Sequence, residues 1–223
     1  MNPTPETPRR RLTGAVLPAL AAAALAGLAT LYVVGREPGG AISGGEVPSG
    51  CILDGAELVG GPISLVDVNG RTVTPAELSE GPSVLYFGFT HCPDICPTTM
   101  YSLTEALNAM GEPGFDLQPV LITLDPERDT TDVMDAYIET EGFPPGLIGL
   151  TGTPAQVNAA AEAFKVVSRR APIEGNAIDY NVDHSSMLYL MDQNWRTRAV
   201  MTTVGKTPQE IAACLSAGLA RID

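Results

Sequence analysis

The sequence is poor in basic residues, histidine and cysteine, and each shortage narrows what the protein can do. It has 13 Lys and Arg against 26 Asp and Glu, which gives a net charge of −13. Because a phosphate backbone repels so acidic a chain, we expect no nucleic-acid partner. Only two His and four Cys are present, and these are the residue types that hold soft metals or act as thiol nucleophiles. These six residues are therefore the first candidates for a metal or thiol site.

A long uncharged run lies near the N-terminus, over residues 12–34. As a helix it would be about 34 Å long, enough for a hydrocarbon core of about 30 Å. Three arginines precede the run and only one follows it closely, which predicts a cytoplasmic segment over residues 1–11. A cleaved signal peptide is the alternative, but the run is longer than the usual signal core. We therefore predict a single-pass bacterial inner-membrane protein whose C-terminal part lies in the periplasm.

The rest of the chain is organised as a linker and one domain. Residues 35–50 are rich in Gly and Pro, which is typical of a flexible linker. Residues 51–223 are long enough for one domain with one sizeable core. Apolar strands alternate with helices in this part and a hairpin follows near its end, so we predict an α/β fold with a mixed sheet. The predicted strands are 83–89, 117–124, 147–150 and 165–169, the helices are 98–110, 131–141, 154–164 and 207–219, and the hairpins cover 58–78 and 187–203, with 171–186 irregular.

Cys92 and Cys96 stand between a predicted strand and a predicted helix. Their spacing of four would put both sulfurs on one helical face, at the N-terminus of the helix. The unpaired N–H groups and the dipole at that end favour a thiolate over a thiol. A buried, inert pair is the alternative, but two cysteines so close together more often form a disulfide or hold a soft metal.

His184 is the favoured third donor, because it follows an irregular segment and precedes a strand. His91 is the competing donor, but its position next to Cys92 makes a shared metal difficult to reach. Asp183 is a candidate for orienting the His184 ring from outside the ligand set. Two thiolates and one imidazole suit copper(I), whereas zinc normally takes four ligands. Copper(II) would need a further oxygen donor.

Three segments carry a resemblance to a known family. They are FGFTHCPDICP at 87–97, TLDPERDT at 123–130 and DYNVDHS at 179–185, which occur in this order over about 100 residues. The chain resembles the Sco/SenC family of copper-binding assembly proteins for cytochrome c oxidase. The resemblance implies a thioredoxin-like, peroxiredoxin-like fold, with copper held by Cys92, Cys96 and His184.

The resemblance also implies a metallochaperone that helps to build the CuA centre of cytochrome c oxidase subunit II. Its expected partners are that subunit, a periplasmic thiol reductant and, as an open alternative, other copper chaperones. The segment at 125–130 has no assigned chemistry, and we interpret it as a turn that leads into a helix. Cys51 and Cys214 lie outside the three segments. Their even number in an oxidising compartment makes a disulfide between them a hypothesis, with a buried Cys214 as the alternative.

Two other functions use the same cysteines. The first is a thiol-disulfide oxidoreductase, although Cys-x-x-x-Cys differs from the Cys-x-x-Cys of thioredoxin. The sequence also has no proline before the strand at 187–191, where thioredoxins keep one. The second is a redox or copper sensor, for which the sequence contains no effector module. No peroxiredoxin-type Pro-x-x-x-Thr-x-x-Cys segment is present, which disfavours a peroxidase.

Overall fold

The computed structural model of the chain describes residues 47–173 and 180–222. The segments predicted for residues 1–11 and 12–34, and most of the predicted linker, lie outside these ranges. Within the described residues, no helix has both the length and the apolar character needed to cross a membrane. The predicted membrane anchor therefore stays a prediction.

An eight-stranded mixed sheet forms the centre of the fold. Its spatial order is β1-β10-β9-β4-β5-β6-β2-β3, and a separate hairpin pairs β7 with β8. The central strands β4, β5 and β6 run parallel, while β9 pairs antiparallel with β4. The strands are β1 Cys51–Ile52, β2 Leu65–Asp67, β3 Thr72–Val73, β4 Ser83–Gly88, β5 Gln118–Thr123, β6 Ile148–Thr151, β7 Ser168–Pro172, β8 Tyr180–His184, β9 Met187–Met191 and β10 Thr197–Thr202.

Four helices of eight residues or more occur among the described residues. Three of them start at a threonine whose side chain accepts a hydrogen bond from a backbone N–H of the first turn, which stabilises a helix start. The helices are α1 Ile95–Met110, the single turn α2 Glu112–Phe115, α3 Thr131–Ile138, α4 Pro154–Ala163 and α5 Pro208–Leu219. Two short 3-10 helices cover Ala56–Leu58 and Pro75–Leu78.

The central strand β4 supplies both faces of the core. Because side chains alternate along a strand, Val84 and Tyr86 pack into one core cluster with residues of α1, α3 and α5. Leu85 and Phe87 point to the opposite face and pack with residues of α4. The cysteines belong to the first cluster, so the face covered by α1 and α5 carries the candidate site.

The predicted α/β class, the central strands and both hairpins are confirmed. Leu65 pairs with Val73 around the Asn69-Gly70 turn, and Met187 pairs with Thr202 near the end of the chain. The prediction of an irregular segment over 171–186 is wrong at 171–172 and 180–184, and the strand predicted over 165–169 forms three residues later as β7. There β8 pairs antiparallel with β7, and no main-sheet strand borders this pair. The exposed, polar sequence of β7 lacks the apolar alternation that identifies a half-buried strand.

Cys51 and Cys214 form a disulfide, so the hypothesis of their pairing is confirmed. Their Cα atoms are 5.7 Å apart, and the bond closes a loop with a sequence separation of 163. Cys51 lies in the edge strand β1, while Cys214 is fully buried in α5. The disulfide therefore fastens the start of the described domain to its last helix.

Candidate metal centre

The cysteines lie where β4 gives way to α1. Asp94 is the N-cap residue of α1 and Cys96 is the second residue of the helix. The prediction that both cysteines stand on one helical face is wrong for Cys92, which lies in the loop before the N-cap. The two are adjacent nevertheless, because the Cys96 backbone N–H donates to the Cys92 sulfur at 3.4 Å. Since no Asp94 side-chain cap is formed, the Cys92 sulfur satisfies one of the free N–H groups of the first turn.

Both cysteines are free thiol residues and buried, and their pKa values shift in opposite directions. A hydrogen bond from the Cys96 thiol lowers the pKa of Cys92 to about 4 against the opposing effect of burial, and backbone N–H groups assist. The same hydrogen bond, together with burial and the charge of Cys92, raises the pKa of Cys96. At neutral pH the pair is therefore a Cys92 thiolate that accepts a hydrogen bond from a Cys96 thiol.

His184 reaches this pair from the last position of β8. Its Nε2 lies 3.6 Å from the Cys96 sulfur, and its Nδ1 lies 3.1 Å from the carbonyl oxygen of Ser185. A carbonyl can only accept, so Nδ1 carries the proton in the neutral ring and leaves the Nε2 lone pair free. The rings of Phe89 and Tyr86 stand edge-on to the imidazole, at 5.9 and 6.1 Å between centroids. These contacts fix an unprotonated nitrogen beside the sulfur.

The donor set suits a soft metal. A thiolate sulfur and an imidazole nitrogen bind zinc-sized ions at about 2.3 and 2.0 Å, so two donors of one ion are at most about 4.3 Å apart. The 3.6 Å between Cys96 and His184 meets this limit. Across the described residues, however, no group of three or more His, Cys, Asp and Glu side chains already stands as a complete ligand cluster. A metal ion held by these side chains would therefore require a small adjustment of their positions.

The other two candidates near the site face away from the sulfurs. His91 is exposed, and its Nδ1 lies 2.9 Å from Thr90 Oγ1 and 3.6 Å from Asp129 Oδ1. The Asp183 carboxylate pairs with Arg169 at 2.9 Å instead of contacting the His184 ring. The proton on His184 Nδ1 is held by a backbone carbonyl, so the orienting role considered for Asp183 is not seen.

The segment at 125–130 does more than lead into α3. The buried Asp129 carboxylate accepts hydrogen bonds from the Thr90 N–H at 3.1 Å and the Thr90 hydroxyl at 2.6 Å. It also accepts one from Thr123 at the end of β5, at 2.5 Å. Hydrogen bonds to a charged acceptor are about twice as strong as neutral ones. Asp129 therefore fastens the loop that carries Cys92 to the neighbouring strand.

Asp125, in the same segment, fastens the hairpin that carries His184. Its buried carboxylate accepts a hydrogen bond from the Tyr180 hydroxyl at 2.7 Å and pairs with Arg128. The guanidinium groups of Arg128 and Arg170 lie 3.9 and 4.7 Å from the centroid of the Tyr180 ring, within the range of cation–π attraction. One short segment thus anchors both halves of the site, which sequence spacing alone did not indicate.

The chain is similar to known proteins over most of its length. The SCO1/SenC family model matches residues 53–219. A SCO2-like protein of Rickettsia prowazekii is 41% identical over 138 residues, which are 62% of this chain and 66% of that protein. Protein SenC of Rhodobacter capsulatus is 39% identical over 135 residues, or 60% of this chain and 59% of that protein. The matched part therefore spans about two thirds or less of these relatives' own length.

Two solved structures extend the comparison to the fold. Bradyrhizobium japonicum ScoI with copper bound has a TM-score of 0.61 at 38% identity and covers 71% of this chain and 98% of that one. Arabidopsis thaliana ScoI with copper bound has a TM-score of 0.67 at 34% identity and covers 74% and 99%. The family model covers most of the chain and includes every residue of the site, and the chain belongs to the SCO1/SenC family.

Proposed function

We propose that this protein binds copper through Cys92, Cys96 and His184 and delivers it to the CuA centre of cytochrome c oxidase subunit II. The observation that carries the proposal is the convergence of a thiolate, a thiol and an unprotonated imidazole nitrogen from separate parts of the fold. The copper-bound ScoI structures of two relatives support copper as the metal. The role in oxidase assembly rests on membership of the family.

Copper(I) is the expected form of the cargo. Thiolate and imidazole donors select copper(I) over harder ions, and binding requires the Cys96 thiol to lose its proton. Metal binding is therefore favoured by rising pH. Copper(II) would need an oxygen donor in addition. Oxidation of the pair to a disulfide removes both sulfur donors, so the proposed function also needs a reductant that keeps Cys92 and Cys96 as thiols.

The proposed location is the periplasmic face of a bacterial inner membrane. The uncharged run at 12–34, with three arginines before it, supports a single span. The Cys51–Cys214 disulfide supports an oxidising compartment, because such bonds are rare where thiols are kept reduced. In that compartment a thiol reductant, and other copper chaperones as donors, would act on the exposed side of the site.

The test is anaerobic copper(I) titration of the reduced full chain in competition with a chromogenic chelator. We expect one tightly bound copper per chain, with binding weakened by Cys92→Ser, Cys96→Ser and His184→Ala. His91→Ala is the matched control, because this second imidazole faces Asp129 and should leave the affinity unchanged. Absence of tight copper binding in the parent chain would contradict the proposed function. Delivery is tested by the CuA content of oxidase in a deletion strain.

The low pKa of Cys92 favours a second function, thiol-disulfide oxidoreductase. The Cys92 thiolate would attack a partner disulfide, and one partner sulfur would leave as a thiolate. Cys96 would then lose its proton and attack the Cys92 sulfur of the mixed disulfide, which releases the partner as a dithiol and leaves a Cys92–Cys96 disulfide. Two electrons pass to the partner. His184→Ala distinguishes the functions, because it removes a copper donor but keeps both sulfurs of a reductase.

A further inference from the structure

The back of the candidate metal site is formed by a tyrosine and a glycine of β4. Tyr86 and Gly88 are two residues apart on the strand, so they share the face covered by α1. A Cβ atom at Gly88 would lie 2.8 Å from the Tyr86 ring and 3.1 Å from the Cys96 sulfur. Real Cβ atoms almost never come that close to a ring carbon. The missing side chain at Gly88 is therefore what lets the Tyr86 ring and the Cys96 sulfur approach each other.

The Tyr86 hydroxyl belongs to a row of buried hydroxyl groups that ends at the Cys96 sulfur. It donates to that sulfur at 3.8 Å and lies 3.0 Å from Ser186 Oγ. Ser186 Oγ lies 2.6 Å from Thr203 Oγ1, which accepts a hydrogen bond from Thr99 at 3.3 Å. All four hydroxyl-bearing residues are buried. Strand β4, helix α1 and the residues directly before β9 and after β10 thus contribute to one polar path inside an otherwise apolar core.

The hydrogen bonds in this path have one consistent direction. Each hydroxyl carries a single proton to donate. Since Thr99 donates to Thr203, Thr203 is left to donate to Ser186 and Ser186 to Tyr86. Tyr86 then has its own proton free for the Cys96 sulfur. Hydrogen bonds in a row polarise one another. The Tyr86 hydroxyl that donates to the Cys96 sulfur is therefore oriented by the hydrogen bond that it accepts from Ser186.

We propose that Tyr86 is a positioning residue for Cys96, whose sulfur it holds toward the metal by a hydrogen bond that the Ser186-Thr203-Thr99 row orients. This inference rests on the proposed copper site. A metal-bound thiolate carries more negative charge than a thiol and accepts a hydrogen bond more strongly. The Tyr86 hydroxyl therefore stabilises the metal-bound form of Cys96 more than its metal-free form.

Tyr86→Phe in the full chain tests the inference, because it removes the hydroxyl and keeps the ring. We expect copper(I) affinity in chelator competition to fall about fivefold, the change that one net hydrogen bond supplies. The sulfur-to-copper(II) charge-transfer band should move to longer wavelength, because a thiolate without its hydrogen bond donates electrons more readily. Tyr189→Phe is the matched control, since this buried tyrosine lies in the core cluster on the opposite face and should change neither quantity.

The band position separates positioning from a general effect on stability, because loss of stability alone does not alter the energy of a sulfur-to-copper transition. Ser186→Ala provides a second variant, in which Tyr86 loses the group that orients it, and we expect a smaller shift in the same direction. If Tyr86→Phe does not fold, Ser186→Ala alone decides. An unchanged affinity and band would overturn the inference. A parent chain that binds no copper would instead overturn the proposed function.

Discussion

Removal of the Cys51–Cys214 disulfide is expected to destabilise the protein by up to about 5 kcal/mol. The bond spans a sequence separation of 163. A cross-link lowers the entropy of the unfolded chain by about 2.1 + 1.5R ln n cal/mol/K for a loop of n residues. At this loop length and 25 °C, the loss corresponds to about 5 kcal/mol of stability. Native proteins are stable by only about 5–15 kcal/mol. A large share of the stability of this domain would therefore depend on one bond.

Loss of the disulfide should also have a local effect at the edge of the sheet. Cys51 belongs to β1, a two-residue strand at the sheet edge that pairs only with β10 among the described strands. Without the disulfide, this edge strand would keep little to hold it in place. We therefore expect its amide hydrogens to exchange faster than those of the central strand β4, in addition to the loss of global stability.

The assay is equilibrium urea unfolding of the full chain and of a Cys51→Ala, Cys214→Ala double variant. The urea concentration at the unfolding midpoint should fall. The free energy of unfolding should also depend more steeply on urea concentration, because an unlinked unfolded chain exposes more surface. The single variant Cys51→Ala is the control. It breaks the cross-link and keeps the buried sulfur of Cys214, so any difference from the double variant measures the void left at that position. A loss of less than about 1 kcal/mol would refute the loop-entropy reasoning.

Three further predictions concern the site. Gly88→Ala should lower copper(I) affinity at least tenfold in chelator competition, because the added methyl group would lie 3.1 Å from the Cys96 sulfur. Alkylation followed by mass spectrometry should show Cys92 reacting with a midpoint near pH 4, with Cys96 protected at neutral pH, since the folded pKa of Cys92 lies far below the usual thiol value. Tyr180→Phe should cost about 1–3 kcal/mol in urea unfolding and speed amide exchange in β8, because a buried Asp125 carboxylate loses a donor.

Two of these predictions have a matched control variant, and each of the three has an outcome that would contradict it. Gly81→Ala is the control for the glycine, since its Cβ would meet only an ordinary contact of 3.6 Å. Equal affinities of the two alanine variants would contradict the crowding argument. An alkylation midpoint near 9 at Cys92 would contradict the proposed thiolate. For the tyrosine, Tyr101→Phe removes a hydroxyl from an exposed residue of α1, and an equal effect of both substitutions would show that Asp125 does not anchor the hairpin.

Local sequence patterns predicted the elements whose signals are local. The apolar run at 83–89 is long enough to read as a buried strand, and it forms β4. The helix predicted from residue 131 begins there, and the Thr130 side chain caps it. In contrast, β1 has only two residues, and its pairing partner in β10 lies about 150 positions away. The hairpin of β7 and β8 is mostly polar. Neither β1 nor this hairpin has a periodic pattern of apolar residues, so the formation of both depends on tertiary contacts.

The residues of the candidate site also differ in how far the sequence could predict them. Cys92, Cys96 and His184 could be chosen because few residues in this chain can serve as soft donors, and the resemblance to a family joined them. The supporting residues gave no such signal. In the sequence, Tyr86 is one residue of an apolar strand pattern, yet in the structure its hydroxyl contacts Ser186, 100 positions later. Likewise, Asp129 reaches Thr90 across 39 positions. Contacts of this kind depend on strand order, which spacing does not encode.

The three proposed donors are held in place to different extents, and this difference bears on the proposed transfer of copper. Cys96 is almost fully buried, and Asp129 ties the loop of Cys92 to the central sheet. His184 is only half-buried and belongs to a hairpin outside the main sheet. The tie of that hairpin through Tyr180 stands at the opposite end of β8. Because an incoming ligand must displace donors one at a time, His184 is the donor whose departure disturbs the least structure. Ligand exchange with a partner would therefore begin at the imidazole, while the sulfurs keep the ion.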